Sequence, residues 1–166
     1  MAITVEDGTG LSNADSYLSV AAADTYHTNF GNATWTGTTA AKESALRKAT
    51  QYLDSSYVWN GDISSLTQAL GFPRINIEDF EGRVLDNTVP KNLKDATAEL
   101  ALLSLSGDLN VTTSRSNYVT KEKVGDLEIA YSSSAPSGRE YNLVNTLLSS
   151  LYSSKIGGST VKLVRV

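Results

Sequence analysis

Residues 90 to 108, "PKNLKDATAELALLSLSGD", constrain the fold more than any other stretch. At helical spacing Leu93, Ala96, Leu100 and Leu103 form one apolar row, and Ala98, Leu102, Leu105 and Leu109 form a second. A helix that is apolar on two sides has to be covered on two sides, so it belongs at the centre of a domain. Pro90 is expected at N1, where its missing N–H costs no hydrogen bond. Gly107 is expected to end the helix.

The other elements have to cover that centre. "SNADSYLSVAAADTYHTNFG" predicts a first helix with Ala14, Tyr17, Leu18, Ala21, Ala22 and Thr25 on one face. Ser12 or Asn13 would cap it, Asp15 would sit in its first turn, and residues 29 to 31 would end it. "AAKESALRKATQYLDSSYVW" predicts a second helix with Ala45, Leu46, Ala49, Tyr52 and Leu53 as its stripe. A turn at 60 to 62 and a short helix from Ile63 to Leu70, stopped by Gly71, would follow. From Tyr118 the period becomes two, which predicts a hairpin turning at Gly125 and Asp126. Ser137 and Glu140 have capping-box spacing before a last helix, "EYNLVNTLLSSLYSS", with Tyr141, Val144, Leu148 and Leu151 in one row. The expected fold class is mainly α: a bundle of four to five helices with an inserted β-hairpin and an extended C-terminal arm. Residues 1–155 would be one helical domain with its hairpin at about 118–132, and 156–166 the arm.

Several chemistries are disfavoured. The absence of cysteine removes disulfides, thiolate metal sites and cysteine nucleophiles. One histidine cannot build a His-rich zinc site within one chain. The N-terminus has neither a basic nor an apolar signal-peptide region. No run approaches the ~20 apolar residues of a membrane span. A net charge of -4 disfavours a protein that coats nucleic acid. His27 with Asp24 could be a base and its orienter, but no motif ties a nucleophile to them, and a surface or half-buried histidine is the simpler reading. The acidic run Glu78, Asp79, Glu81 with Asp86 lacks the calcium-loop pattern and reads as a solvated loop. Gly8 and Gly10 make no phosphate cradle, because no strand-to-helix P-loop follows. No catalytic residue, cofactor or metal is expected.

Two segments suggest binding. Lys121 and Lys123 lie in the hairpin near Arg115, Tyr118 and Tyr131, with Leu127 and Ile129 on its apolar side. Basic residues interleaved with aromatics can serve a single strand, though Glu122, Asp126 and Glu128 dilute the charge. After Gly157 and Gly158, "STVKLVRV" alternates like a strand, with Val161, Leu163 and Arg165 offset from Lys162, Val164 and Val166. A strand with no partner in its own chain fits addition to a neighbour. Between these segments and the first helices lies Gly71-Phe72-Pro73-Arg74, a motif that no secondary-structure argument requires.

In order along the chain, "ALRKATQYLD", "YVWNGD", "LTQALGFPR", "VPKNLKDATAELA", "KEKVGDLEIAYS" and "VKLVRV" resemble the head-to-tail adaptor (connector) proteins of tailed bacteriophages. That family is often labelled DnaT-like single-stranded DNA-binding protein. The resemblance covers roughly residues 10 to 166, with Phe72 where the family commonly has tryptophan. It implies a structural virion protein: a homo-oligomeric ring of about twelve copies beneath the portal protein, above a tail or neck protein. DNA would pass through its channel without specific binding. It would be made in the bacterial host cytoplasm and end at the head-tail junction of the virion. Phe72, Pro73, Arg74, Val161, Leu163, Val164 and Arg165 would then serve subunit or portal interfaces, with Phe72 and Pro73 pinning the loop and Arg74 reaching a carboxylate or carbonyls. The alternative is a small replication accessory that binds single-stranded DNA.

Overall fold

Helix α3 (Lys91–Ser106) buries Leu93, Ala96, Thr97, Ala98, Leu100, Ala101 and Ser104 around somewhat more than half of its circumference, whereas Leu103 of the expected first row is exposed. It packs chiefly on α2 (Thr39–Ser56) and, on another side, on α4 (Asn142–Leu148). The computed structural model describes residues 2–110, 121–124, 127–130 and 140–156, with backbone only for 121–124 and 127–130. Two polar residues inside α3 are satisfied locally. Thr97 Oγ1 donates to the Leu93 carbonyl, and Ser104 Oγ to those of Ala101 and Ala45. Pro90 is the N-cap rather than the expected N1, and Gly107 follows the last turn.

The chain divides into two compact units, Met1–Leu109 with Tyr141–Val166, and Asn110–Glu140. In the first, α1 (Val20–Asn29) and α2 carry side-chain caps, Ser19 and Thr38, which accept from the N–H groups of Ala22 and Ala41. α2 buries Ala45, Leu46, Ala49 and Leu53 of the stripe its periodicity predicts, with Tyr52 half-buried and Thr50 buried beside them. β1 (Tyr57–Trp59) pairs antiparallel with β6 (Tyr152–Lys155), and β2 (Asp62–Ile63) with β3 (Arg74–Ile75). In the second unit, β4 (Lys121–Val124) pairs with β5 (Leu127–Ala130), with Lys121 opposite Ala130 and Lys123 opposite Glu128. The turn at 125 to 126 and the arm from 157 onward lie outside the described residues.

The expected helical bundle is corrected: this is a mixed α/β fold, with four described helices and three described two-stranded antiparallel sheets. Three local reasons account for the difference. First, α1 starts at Val20, not near residue 13, because residues 14–16 pair with the N-terminal segment. Glu6 N–H donates to the Ser16 carbonyl, and the Asp15 and Ser16 N–H groups to that of Thr4. Ala14, Tyr17 and Leu18 are buried all the same, whereas Ala21 and Ala22 are exposed. Second, residues 63–70 form no helix. Gln68 Oε1 accepts from Ser65 N–H, and Ser65 Oγ meets Thr67 Oγ1, bonds that compete with a helix ladder. Third, the last helix stops at Leu148, and Tyr152–Lys155 turns to strand because β1 offers it an edge. α4 begins at Asn142 without a side-chain cap, so Glu140 takes no part in a capping box within it. Its apolar row, Tyr141, Val144, Leu148 and Leu151, is nevertheless buried.

Candidate interaction surface

The loop after Gly71 begins deep inside the first unit. Asp54, near the end of α2, gathers its first residues. Its Oδ1 accepts from Tyr17 Oη at 2.5 Å and from Trp59 Nε1 at 3.2 Å, and its Oδ2 accepts from Gly71 N–H at 3.0 Å. Phe72 N–H donates to Tyr17 Oη at 3.2 Å. Burial raises the Asp54 carboxyl above its ordinary value, and the bonds from Tyr17, Gly71 and Trp59 oppose that rise. Burial, reinforced by Asp54, also raises the Tyr17 phenol well above its usual value. A Cβ on Gly71 would lie 2.6 Å from Trp59 Nε1 and 2.7 Å from Asp54 Oδ1, so only glycine fits.

Phe72 is fully buried, edge-on to Trp59 at 5.2 Å and to Tyr17 at 6.3 Å. Pro73 is buried after a cis peptide bond, and its carbonyl accepts from Ser64 N–H and Gln68 Nε2. Arg74 closes the turn. Its Nε donates to the Asn60 carbonyl at 2.6 Å, Nη2 to that of Gly61 at 2.7 Å, and Nη1 to that of Gly71 at 3.1 Å. The motif therefore fastens the chain to itself, and Phe72 and Pro73 turn little surface outward.

Beyond Arg74 the chain becomes an arm folded back on itself. Asn87 N–H donates to the Arg74 carbonyl and Leu85 N–H to that of Ile77, and Glu78 bridges to Val84. Asp79 fixes the tip by accepting from the N–H groups of Glu81 and Arg83, at 2.9 and 3.0 Å, and from Arg83 Nε at 2.7 Å. These bonds, led by the one from the Arg83 backbone, hold the Asp79 carboxyl below its ordinary value. At the tip Phe80 is 78% exposed and Val84 63%, while Leu66, before the motif, is 94% exposed. Phe80 stands between Asp79 and Glu81, a pattern legible as an apolar residue inside an acidic run but not singled out by periodicity.

The charges are unevenly distributed. Residues 2–109 and 140–156 hold 15 Asp and Glu against 8 Lys and Arg, whereas 110–139 and 157–166 hold 3 against 6. Four of those eight cations form ion pairs, Lys42 with Asp24, Arg47 with Asp15, Arg83 with Asp79 and Lys91 with Asp95. Arg74 is held by carbonyls. Lys121, Lys123, Leu127 and Ile129 lie on the paired strands of the second unit. Val161, Leu163, Val164 and Arg165 lie outside the described residues.

The remaining candidates have structural roles. His27 is fully buried, not half-exposed, against Trp35 at 4.5 Å. Its Nδ1 accepts from Asn32 Nδ2, while Asp24 accepts from Trp35 Nε1 and Lys42. Burial lowers the His27 pKa. The "EDGTG" loop cradles an anion of its own chain: the Glu6 carboxylate accepts from the N–H groups of Gly8, Gly10 and Leu11, at 2.9, 2.9 and 2.8 Å. Among the described residues no helix is long and apolar enough to cross a membrane.

A family model described as "Putative DnaT-like ssDNA binding protein" matches the chain over residues 1–166. No curated protein and no solved structure matches it.

Proposed function

The chain belongs to the family so described, and on that premise we propose that it works by docking to other macromolecules, as a structural virion protein that joins a phage head to its tail. In this reading about twelve copies form a ring beneath the portal and extend the DNA channel. The portal lies above, a tail or neck protein below, and no cofactor takes part. The supporting observation is the arm. It holds Phe80 outward among carboxylates, on a turn fixed by Asp79, while Lys42, Arg47, Arg83, Lys91 and Arg74 of the same unit are engaged within the chain. A preorganised aromatic on an acidic rim suits a protein partner and repels a phosphodiester. An acidic ring around a channel would let duplex DNA slide.

The second reading is a small single-stranded DNA-binding accessory. The family description favours it directly, and so does the excess of Lys and Arg in residues 110–139 and 157–166. The two readings separate in a titration with oligothymidylate across a range of salt. Single-strand binding gives an affinity whose logarithm falls with log salt by roughly 0.7 per phosphate contacted. The structural reading expects no salt-dependent affinity, and a steep slope would overturn it.

A further inference from the structure

We infer that the acidic arm at residues 77–84 receives the C-terminal segment, residues 157–166, of a second copy of this chain. The inference rests on the assembly reading and names the surface that would join neighbours.

Two halves of a complementary contact sit in one sequence. The arm offers Glu78 and Glu81, both exposed, beside exposed Phe80 and Val84. Its nearby cation, Arg83, is paired with Asp79, so the rim stays acidic. Ile63, also exposed, belongs to β2, which pairs with β3 just before the arm. The segment has the opposite character. "GGSTVKLVRV" carries Lys162 and Arg165 and no acid, with Val161, Leu163, Val164 and Val166 between them. Ten residues extended reach roughly 33 Å, far enough to leave their own molecule. Its alternating sequence offers apolar side chains for Phe80 and Val84 and cations for the rim. The arm and the segment are different surfaces of one chain. The contact is therefore heterologous, and it closes into a ring if its rotation permits.

A charge swap tests this by sedimentation at increasing protein concentration and low salt. Wild type should self-associate. Glu78→Lys with Glu81→Lys, or Lys162→Glu with Arg165→Glu, should each weaken association roughly tenfold or more. Mixing the two variants should restore it, because each then meets a complementary neighbour. The inference is overturned if wild type stays monomeric throughout, or if the mixture fails to recover. A chain carrying all four changes should also recover association, and its failure to do so equally overturns the inference. Glu78 and Glu81 are exposed and Lys162 and Arg165 lie outside the described residues, and unchanged melting temperatures would confirm that the variants fold. Counting copies in virions tests the assembly reading separately, so failure of the charge swap leaves that reading standing.

Discussion

Residues 71–74 and residues 78–84 belong to one connection between α2 and α3, and they behave in opposite ways. The first four turn inward. Gly71 has no room for a Cβ, Phe72 is enclosed by Tyr17 and Trp59, and Arg74 is shared among three carbonyls. The others turn outward, with Asp79 holding the tip and Phe80 in solvent. A long connection needs a fixed root before its tip can be placed, and here the root is packed like a core. Conserving stability and presenting a surface are therefore separate jobs of neighbouring residues.

If that division is right, substitutions should fall into two classes. Phe72→Ala should have the largest effect, about 3–5 kcal/mol in urea unfolding, because it leaves a void between two aromatic rings. An unchanged midpoint would show that the plug is not what holds the loop. Gly71→Ala should cost about 1–3 kcal/mol, since Trp59 and Asp54 must both move. Arg74→Met should cost roughly 1–3 kcal/mol through three carbonyls left without their donor. Phe80→Ser should change stability by less than about 0.5 kcal/mol. A large loss there would mean the tip is part of the core after all.

The pH dependence sharpens the same contrast, because the buried groups carry it. His27 is held below its ordinary value by burial, so the unfolded chain takes up the proton first. Its contribution to stability is therefore complete above about pH 6.5 and is lost as the pH falls through that value toward the folded-state one. Asp54 has the opposite sign. Its raised carboxyl favours the folded state more as acid protonates it. Unfolding midpoints for wild type and His27→Gln between about pH 8 and pH 5 should show the decline in wild type and its absence in the variant. Equal slopes would place the titration elsewhere.

The sequence made part of this legible. The two-sided apolar pattern of residues 90–108 located the central helix, and the stripe of α2 was readable for the same reason. A buried helix records its neighbours in its own period. Phe72 as a plug, and Arg74 as reaching a carboxylate or carbonyls, were expectations drawn from the resemblance, and Arg74 meets three carbonyls. Other features depended on partners far away in sequence. Asp54 looks like an ordinary helix-end carboxylate until Tyr17 and Gly71 are folded onto it. Residues 14–18 keep a helical spacing of apolar side chains, but the bonds of Asp15 and Ser16 to residues 4–6 keep this stretch out of a helix. Tyr152–Lys155 reads as helix by period and becomes strand because β1 presents a free edge. Phe80 was hidden by its acidic company, since a solvated loop needs no explanation until its one aromatic is seen fixed in place.

The central claim is that this chain is a structural part of a virion. Quantitative mass spectrometry of purified virions, comparing this chain with the major capsid protein, tests it most directly. The account predicts about a dozen copies per particle, the number expected of one ring. Absence from virions, with the protein abundant in infected cells, would contradict it and leave single-stranded DNA as the ligand to pursue.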